Sequence, residues 1–191
     1  MRKIDENKII SIHHAIFDLG MELGYQNLSI AKIAKKANVS PATIYIYYKD
    51  KEDMLSTLYL KVKDIIDAHL FKNVSADQPL KLQLETILKN YVHAIMSYPK
   101  ESTFMDFINS NPSYITKEAY EEGMKKATYL HVIYTEGIEK KIIKNVSKEL
   151  IIALTFGSLN YLLEQHYYAQ TKMSEEEIDQ AIKMSWDAIK A

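Results

Sequence analysis

The side chains with the clearest chemical capacity lie close together near the start of the chain. Thr43 carries a hydroxyl that can donate to or accept from a base edge, and Lys49 and Lys51 carry ammonium groups that suit phosphate oxygens. The methyl groups of Ala42 and Thr43 can contact a thymine methyl. This combination predicts binding to a nucleic acid, with Ala42 and Thr43 as the base-reading candidates.

The distribution of charge supports this interpretation, although the net charge of the 191-residue chain is only −1. Residues 1–51 contain eight Lys or Arg and five Asp or Glu, a balance of +3, whereas residues 52–191 carry a balance of −4. A phosphate backbone responds to local rather than total charge. No arginine lies in the segment 28–55, so we expect specificity to depend on apolar contacts and DNA shape rather than on guanidinium contacts to guanine.

Two short helices joined by a tight turn are predicted to position these side chains. Ser29 is placed to cap the first helix, and Ser40 followed by Pro41 is typical of the start of the second. Asn38 tolerates the left-handed conformation that the turn needs. A longer helix, from about Asp5 to Gly24, precedes them. The pattern predicts a helix-turn-helix, which presents a rigid helix to the major groove.

The remaining sequence predicts further helices and no strands, because it has few glycines and prolines and no sustained period-two alternation. The predicted fold class is all-α, with about nine helices in total. Residues 1–51 are expected to form a three-helix helix-turn-helix domain that binds DNA. Residues 52–191 are expected to form a helical domain for effector binding and dimerisation.

Several classes of protein are disfavoured by the composition. No apolar run approaches the ~18 residues of a membrane span, and the first residues lack the features of a signal peptide, so we expect a cytoplasmic protein that does not bind membranes. Cysteine is absent, which excludes disulfides and thiolate metal sites. The six histidines lack metal-ligand spacing, and no phosphate-binding loop or nucleophile motif occurs. We therefore expect no enzymatic activity, no metal and no cofactor.

The segment from Leu28 to Leu55 resembles the N-terminal domain of the TetR (tetracycline-repressor) family of transcriptional regulators. Asn38 is a departure, since glycine is commoner there, but asparagine also tolerates positive φ. The resemblance rests on Ser29, the pair Ile33-Ala34, the pair Val39-Ser40, the core Thr43-Ile44-Tyr45, the aromatic Tyr48 and the pair Lys51-Glu52.

The resemblance implies an operator-binding homodimer in which residues 40–43 approach the bases. It also implies that Tyr45, Tyr47, Lys49 and Lys51 contact phosphates. The residues predicted to bind DNA are therefore Ser29, Ser40, Pro41, Ala42, Thr43, Tyr45, Tyr47, Lys49 and Lys51.

The segment 147–170 is apolar on nearly all sides, which in a small domain indicates a partner subunit. Together with the last helix it could form half of an intersubunit four-helix bundle, as in the TetR family. The alternative is a central helix of the protomer's own core. The predicted dimer residues are Leu154, Gly157, Ser158, Tyr161, Ile182, Trp186 and Ile189.

Aromatic residues and methionines in the middle helices could line an apolar cavity in which a few polar groups orient a ligand. Ordinary core packing is the alternative, because tyrosine at helical spacing is common in cores. The predicted ligand residues are Tyr91, Phe104, Phe107, Met124, His131, Tyr134 and Tyr161.

The sequence thus predicts a ligand-responsive repressor that binds a palindromic operator in double-stranded DNA as a homodimer. An unidentified, largely apolar small molecule is expected to shift the helix near residues 58–70 and so change the spacing of the two DNA readers. The alternative is a ligand-binding or co-regulator protein of the same fold without specific DNA readout, a possibility raised by the absence of arginine from the reader.

Overall fold

A computed structural model describes residues 5–125 and 128–191 of the protein. The described chain confirms the all-α fold: none of these residues forms a strand, and the β-type pairing found is an isolated bridge between Ile143 and Lys190. The α-helices are α1 (Glu6–Leu23), α2 (Ile30–Lys36), α3 (Pro41–Tyr47), α4 (Lys51–Leu70), α5 (Leu80–Ser97), α6 (Pro99–Ser110), α7 (Lys117–Lys125), α8 (Thr128–Glu139), α9 (Lys148–Ile152), α10 (Ser158–Tyr168) and α11 (Glu175–Ile189).

One apolar stretch of the predicted second domain is interrupted in the structure. The stretch 147–170 is divided by a π-helical turn, Ala153–Gly157, which separates α9 from α10. Such turns insert one extra residue into a helix and leave little trace in an apolar sequence pattern.

The helices are grouped into two compact units. The first comprises the described residues up to Asp64 together with Pro99–Met124. The second comprises Ile65–Tyr98 and the described residues from Lys125 to Ala191. The functional boundary expected after residue 51 stays a prediction, because compactness does not test which residues bind DNA or an effector.

In the first unit, α1 begins and ends as its sequence requires. The Asp5 side chain accepts a hydrogen bond from the Lys8 amide, and Gly24 ends the helix with φ 81°. Ile12 and Ile16 are buried on one face, whereas Leu23, seven residues after Ile16 and so on the same face, is 45% exposed. Gly20 faces Tyr25 so closely that an ideal Cβ on Gly20 would lie 2.0 Å from a ring atom.

Aromatic packing within the first unit connects α1, the turn after it and α6. The ring of Phe104 lies 5.8 Å from Phe17 and 5.4 Å from Tyr25, in edge-on arrangements that aromatic pairs prefer. Phe107 lies 5.1 Å from Tyr25 and 4.9 Å from Tyr114. This aromatic cluster holds α6 against the first helix.

The second unit is built around α5, which contacts α8, α10 and α11. Its core includes Leu84, Ile87 and Leu88 of α5, each with an exposed fraction of 0%. Ser174 caps α11 by accepting a hydrogen bond from the Glu177 amide, as the Ser-x-x-Glu pattern indicates. None of the helices in the described ranges is long and apolar enough to cross a bilayer.

Candidate nucleic-acid interface

The turn between α2 and α3 has the geometry of a helix-turn-helix. Ser29 caps α2 by accepting from the Lys32 amide, and the Val39 amide donates to the carbonyl of Ala34 at 2.9 Å. Asn38 has φ 55°, the left-handed conformation expected for this position. Ser40 caps α3, with Pro41 in its first turn. The predicted caps and turn residues are therefore confirmed.

Helix α3 is fixed to the rest of its unit along its inner side. Ile44 is fully buried, and the amide of Tyr48 donates to its carbonyl at 3.0 Å as α3 ends. A hydrogen bond of 2.9 Å joins Nε2 of His13, on α1, to the hydroxyl of Tyr48. This contact joins the end of α3 to the long helix of the same unit.

The His13–Tyr48 pair is held in its uncharged form. Burial, assisted by the charges of Lys61 and His14, lowers the pKa of His13 from 6.5 to about 4. Burial, together with the carboxylate of Asp53 and the neighbouring Tyr47, raises the pKa of Tyr48 to about 12. Both groups therefore stay neutral near pH 7, so the hydrogen bond is made without a buried charge.

The sequence gives little signal for this pair. Adjacent residues of a helix point in different directions, and the structure accordingly buries His13 and exposes His14. The partnership with Tyr48, 35 positions along the chain, depends on how α1 crosses the end of α3. Sequence spacing alone does not predict that crossing.

The outer edge of α3 is largely apolar. Pro41 and Ala42 are exposed, Tyr45 is 56% exposed and Ile46 is 52% exposed. Thr43, predicted to read bases, is half-buried. Ile46 was not among the predicted DNA-binding residues, although its position between the predicted residues Tyr45 and Tyr47 could have identified it.

The two hydroxyls at the start of α3 are bonded to each other. The Oγ of Ser40 lies 2.9 Å from Oγ1 of Thr43, and it also accepts a hydrogen bond from the Thr43 amide at 3.1 Å. These bonds orient the Thr43 side chain. They also occupy part of its capacity to bond to a base, so the base-reading role of Thr43 stays a prediction.

A basic rim flanks this edge. The segment 28–51 contains five lysines and a single carboxylate, Asp50. Lys35 and Lys49 are exposed, whereas Lys36 forms an ion pair of 2.6 Å with Glu22. Charge of this sign and density suits a phosphate backbone.

Lys51 occupies a different environment from Lys49. Its Nζ donates to the carbonyl of Leu28 at 2.7 Å and lies 5.6 Å from the centre of the Tyr114 ring. Burial lowers the pKa of Lys51. The ammonium therefore helps to hold the start of α4 against the loop before α2, and its predicted phosphate contact stays a prediction.

The residues predicted for the dimer interface divide into exposed and buried sets. Leu154, Gly157, Ser158 and Tyr161 are exposed on the second unit, and Tyr161 is 63% exposed. The α11 residues are instead buried in the core of the same unit, with exposed fractions of 8% or less for Ile182, Trp186 and Ile189.

The residues predicted to bind a ligand are distributed over both units. Three of them, Phe104, Phe107 and Met124, belong to the first unit, where the two phenylalanines form part of the aromatic cluster. The other four belong to the second unit, where His131 and Tyr161 are exposed and Tyr91 and Tyr134 are buried.

Two buried tyrosines place hydroxyls inside the second unit. The Tyr91 hydroxyl bonds to Oδ1 of Asn160, and its ring lies 4.9 Å from Phe156. Among the described residues no atom completes a well-formed hydrogen bond with the Tyr134 hydroxyl. Burial raises the pKa of Tyr134 to about 12, although a polar interaction with the neighbouring Thr155 side chain tends to lower this pKa. The Thr155 hydroxyl itself donates to the Ile151 carbonyl at 2.8 Å.

Comparisons with known proteins identify two matching sequence models, one for the first part of the chain and one for the later part. Residues 12–58 match the sequence model described as "Bacterial regulatory proteins, tetR family". Residues 79–190 match the model "Tetracyclin repressor-like, C-terminal domain". The second match alone extends over more than half of the chain.

Individual relatives extend the likeness over nearly the whole length. A TetR family transcription regulator from Marinobacter aquaeolei superimposes with a TM-score of 0.86 at 26% identity, covering 100% of this chain and 99% of that one. An HTH-type transcriptional regulator from Haemophilus influenzae is 23% identical over 166 residues, 87% of each chain. A "Fatty acid metabolism regulator protein" from Bacillus subtilis is 24% identical over 157 residues, 80% of each chain.

Proposed function

The chain belongs to the TetR family of bacterial transcriptional regulators, and on that premise we propose that it is a homodimeric repressor that binds a palindromic operator and is released by an apolar effector. Members of this family bind DNA and are not enzymes. The observation that carries the proposal is the exposed edge of α3, which is fixed from behind by Ile44 and the His13–Tyr48 bond and flanked by lysines.

Selection from a library of random duplexes tests the DNA-binding part of the proposal. The full chain should enrich a palindromic sequence, bind it far more tightly than random duplex, and lose affinity steeply as salt increases. If the chain binds the enriched and random duplexes equally, the proposed repressor function is refuted.

The proposed dimer uses the exposed apolar residues of α9, the π turn and α10. Leu150, Leu154 and Tyr161 are 47%, 40% and 63% exposed, and Gly157 and Ser158 between them permit close approach of a second backbone. In this proposal the interface is supported indirectly by Ile182, Trp186 and Ile189, because they fill the core of the unit that carries this face.

Charge introduced into this face should dissociate the dimer. We expect Tyr161→Asp to give a monomer in sedimentation velocity while its far-UV circular dichroism stays unchanged. Leu82→Asp is the matched control, because Leu82 is also exposed (46%) but lies on α5. A dimeric Tyr161→Asp protein would contradict the proposed interface.

The proposed effector is largely apolar and binds in the second unit near the buried hydroxyls of Tyr91 and Tyr134. The name of the Bacillus subtilis relative supports fatty acids or their derivatives as the first compounds to test. A series from octanoate to oleate should raise the melting temperature and release the enriched duplex at the same concentrations, because a ligand that shifts DNA affinity must bind the two states differently.

Coupling between effector and DNA is proposed to pass along α4. This helix runs unbroken from Lys51 to Leu70 and contributes residues to both units. A shift of its later turns, near residues 58–70, would change the spacing of the two α3 helices in a dimer. Effector-induced changes in hydrogen exchange along α4 would test this route.

A second candidate is a ligand-binding protein of the same fold without specific DNA readout. The mutual hydrogen bonding of Ser40 and Thr43, and the inward bond of Lys51, favour it, because both reduce the polar groups offered to DNA. Replacing Thr43 and Tyr47 with alanine distinguishes the two functions: the repressor should lose affinity for its operator, whereas unchanged binding to promoter DNA would support the second candidate.

A further inference from the structure

An aliphatic pair lies on the outer edge of α3. Ala42 and Ile46 are four residues apart, so they are neighbours on one face of the helix, and both are exposed. The Ile46 side chain is 52% exposed. An isoleucine of this exposure in the middle of the helix that faces DNA has no role in the core of its unit.

The polar groups of the same helix offer few contacts to base edges. From Ser40 to Tyr48 the sequence contains no Arg, Lys, Asn or Gln, the residue types that make bidentate contacts to guanine or adenine. The hydroxyls of Ser40 and Thr43 are bonded to each other, and the hydroxyl of Tyr48 is bonded to His13. The hydroxyls of Tyr45 and Tyr47 are predicted to contact phosphates rather than bases. Apolar contact is therefore the main means of base recognition left to α3.

The charge around the pair indicates which kind of partner covers it. The segment 28–51 contains five lysines and one carboxylate. Lys36 is paired with Glu22 and Lys51 bonds inward, whereas the other three lysines are exposed and suit a polyanion. On the base edges of a polyanionic duplex, the apolar group exposed in the major groove is the C5 methyl of thymine. Charge and aliphatic surface thus point to one occupant.

We infer that Ala42 and Ile46 recognise thymine methyl groups in the major groove of each operator half-site, with Ile46 as a specificity-determining residue. The inference rests on the proposed DNA-binding function and adds to it the base that is read. It predicts thymines at adjacent positions of each half-site and low tolerance for cytosine, which lacks the methyl group, in their place.

Deoxyuridine provides a direct test, because it differs from thymidine only by the missing methyl. The duplex enriched from a random library by the full chain is resynthesised with deoxyuridine at each thymine in turn, in both half-sites. Burial of one methyl group corresponds to about a fourfold change in affinity, so loss of the same methyl in both half-sites should weaken binding by about 15-fold.

The variant Ile46→Ala should abolish this discrimination at one thymine per half-site. Its affinity for the thymine duplex should decrease, and its affinities for the thymine and deoxyuridine duplexes should become equal. Ile10→Ala is the matched control, because Ile10 is an isoleucine of similar exposure (44%) on α1. The control should retain the full preference for thymine.

The possible failures are distinguishable. If a specific duplex is enriched but no thymine is sensitive to deoxyuridine, or if Ile46→Ala keeps the wild-type preference, the inference is overturned and the proposed repressor function stands. If no duplex is enriched, both are overturned. An unchanged melting temperature of Ile46→Ala establishes that its loss of discrimination does not come from unfolding.

Discussion

Protonation of His13 should destabilise the protein at mildly acidic pH. In the folded chain burial holds the pKa of His13 at about 4, whereas an unfolded histidine titrates near 6.5. As the pH falls below 6.5 the unfolded state therefore binds a proton first. The stability that neutral His13 contributes is fully present above pH 6.5 and is lost progressively as the pH falls towards 4.

The size of the effect follows from proton linkage. With these two pKa values, the free energy of unfolding should decrease by about 2 kcal/mol between pH 7.5 and pH 5, and by about 3 kcal/mol once the pH is below 4. The hydrogen bond between His13 and Tyr48 contributes to the same pH dependence of stability, because a protonated His13 would place a charge beside a buried hydroxyl.

Urea unfolding followed by far-UV circular dichroism at several pH values measures this loss. His13→Gln removes the titrating group and keeps an amide that can bond to Tyr48, so its pH dependence between 7.5 and 5 should be weaker than that of the wild type by about 2 kcal/mol. His14→Gln is the matched control, because His14 is exposed and adjacent. Equal slopes for His13→Gln and the wild type would refute the reasoning.

Five further substitutions, at four positions, test the packing, the backbone conformation and the charge of the first unit. Gly20→Ala should lower the free energy of unfolding by about 1 to 3 kcal/mol, because its Cβ would overlap the Tyr25 ring; an unchanged urea midpoint would contradict this. Asn38→Gly should keep full stability, whereas Asn38→Val should cost about 1 to 2 kcal/mol at φ 55°; equal stabilities would show that the turn does not need this conformation. Lys49→Ala should weaken binding to all duplexes and reduce the slope of log affinity against log salt concentration by about one. Lys51→Ala should in addition lower the free energy of unfolding by about 1 kcal/mol, because it loses the bond to Leu28. If both lysine variants change only the salt slope, the structural role of Lys51 is wrong.

The features that could be predicted from the sequence are those fixed by local chemistry. Ser29 and Ser40 cap their helices, Asn38 adopts positive φ, and the Asp50 carboxylate accepts from the Asp53 amide at the start of α4. In each case a side chain and the backbone within a few positions of it determine the conformation. The family resemblance could be recognised for the same reason, because its motif consists of these short-range signals.

Features that depend on contacts between distant residues could not be predicted from the sequence. Leu23 follows the apolar spacing of α1, yet it is the last residue of the helix and its side chain is 45% exposed. Lys51 is predicted to contact a phosphate, and nothing in the local sequence indicates that its ammonium also donates to the Leu28 carbonyl, 23 positions earlier. Spacing along a helix predicts which residues share a face, but it does not predict what that face packs against.

The second unit shows the same limit on a larger scale. The segment 147–170 and the last helix have similar apolar patterns, but the structure buries Trp186 and leaves Tyr161 exposed. An apolar residue that packs in its own protomer has the same chemistry as one that would pack against a second copy in the proposed dimer. Composition therefore cannot separate the two. The π turn between α9 and α10 adds a shift in register that an ideal helical period does not predict.

The attachments of α3 determine what kind of motion could regulate DNA binding. The helix is only seven residues long, and it is held by the buried Ile44, by the bond from the Val39 amide to the Ala34 carbonyl in the preceding turn and by the bond from Tyr48 to α1. Moving α3 alone would break all three attachments and expose the neutral His13–Tyr48 pair to water. A change of half-site spacing in the proposed dimer should therefore displace α1, α2 and α3 as one rigid body. Ala42 and Ile46 would keep their separation throughout, so an effector should abolish affinity for the operator without changing which base each half-site prefers.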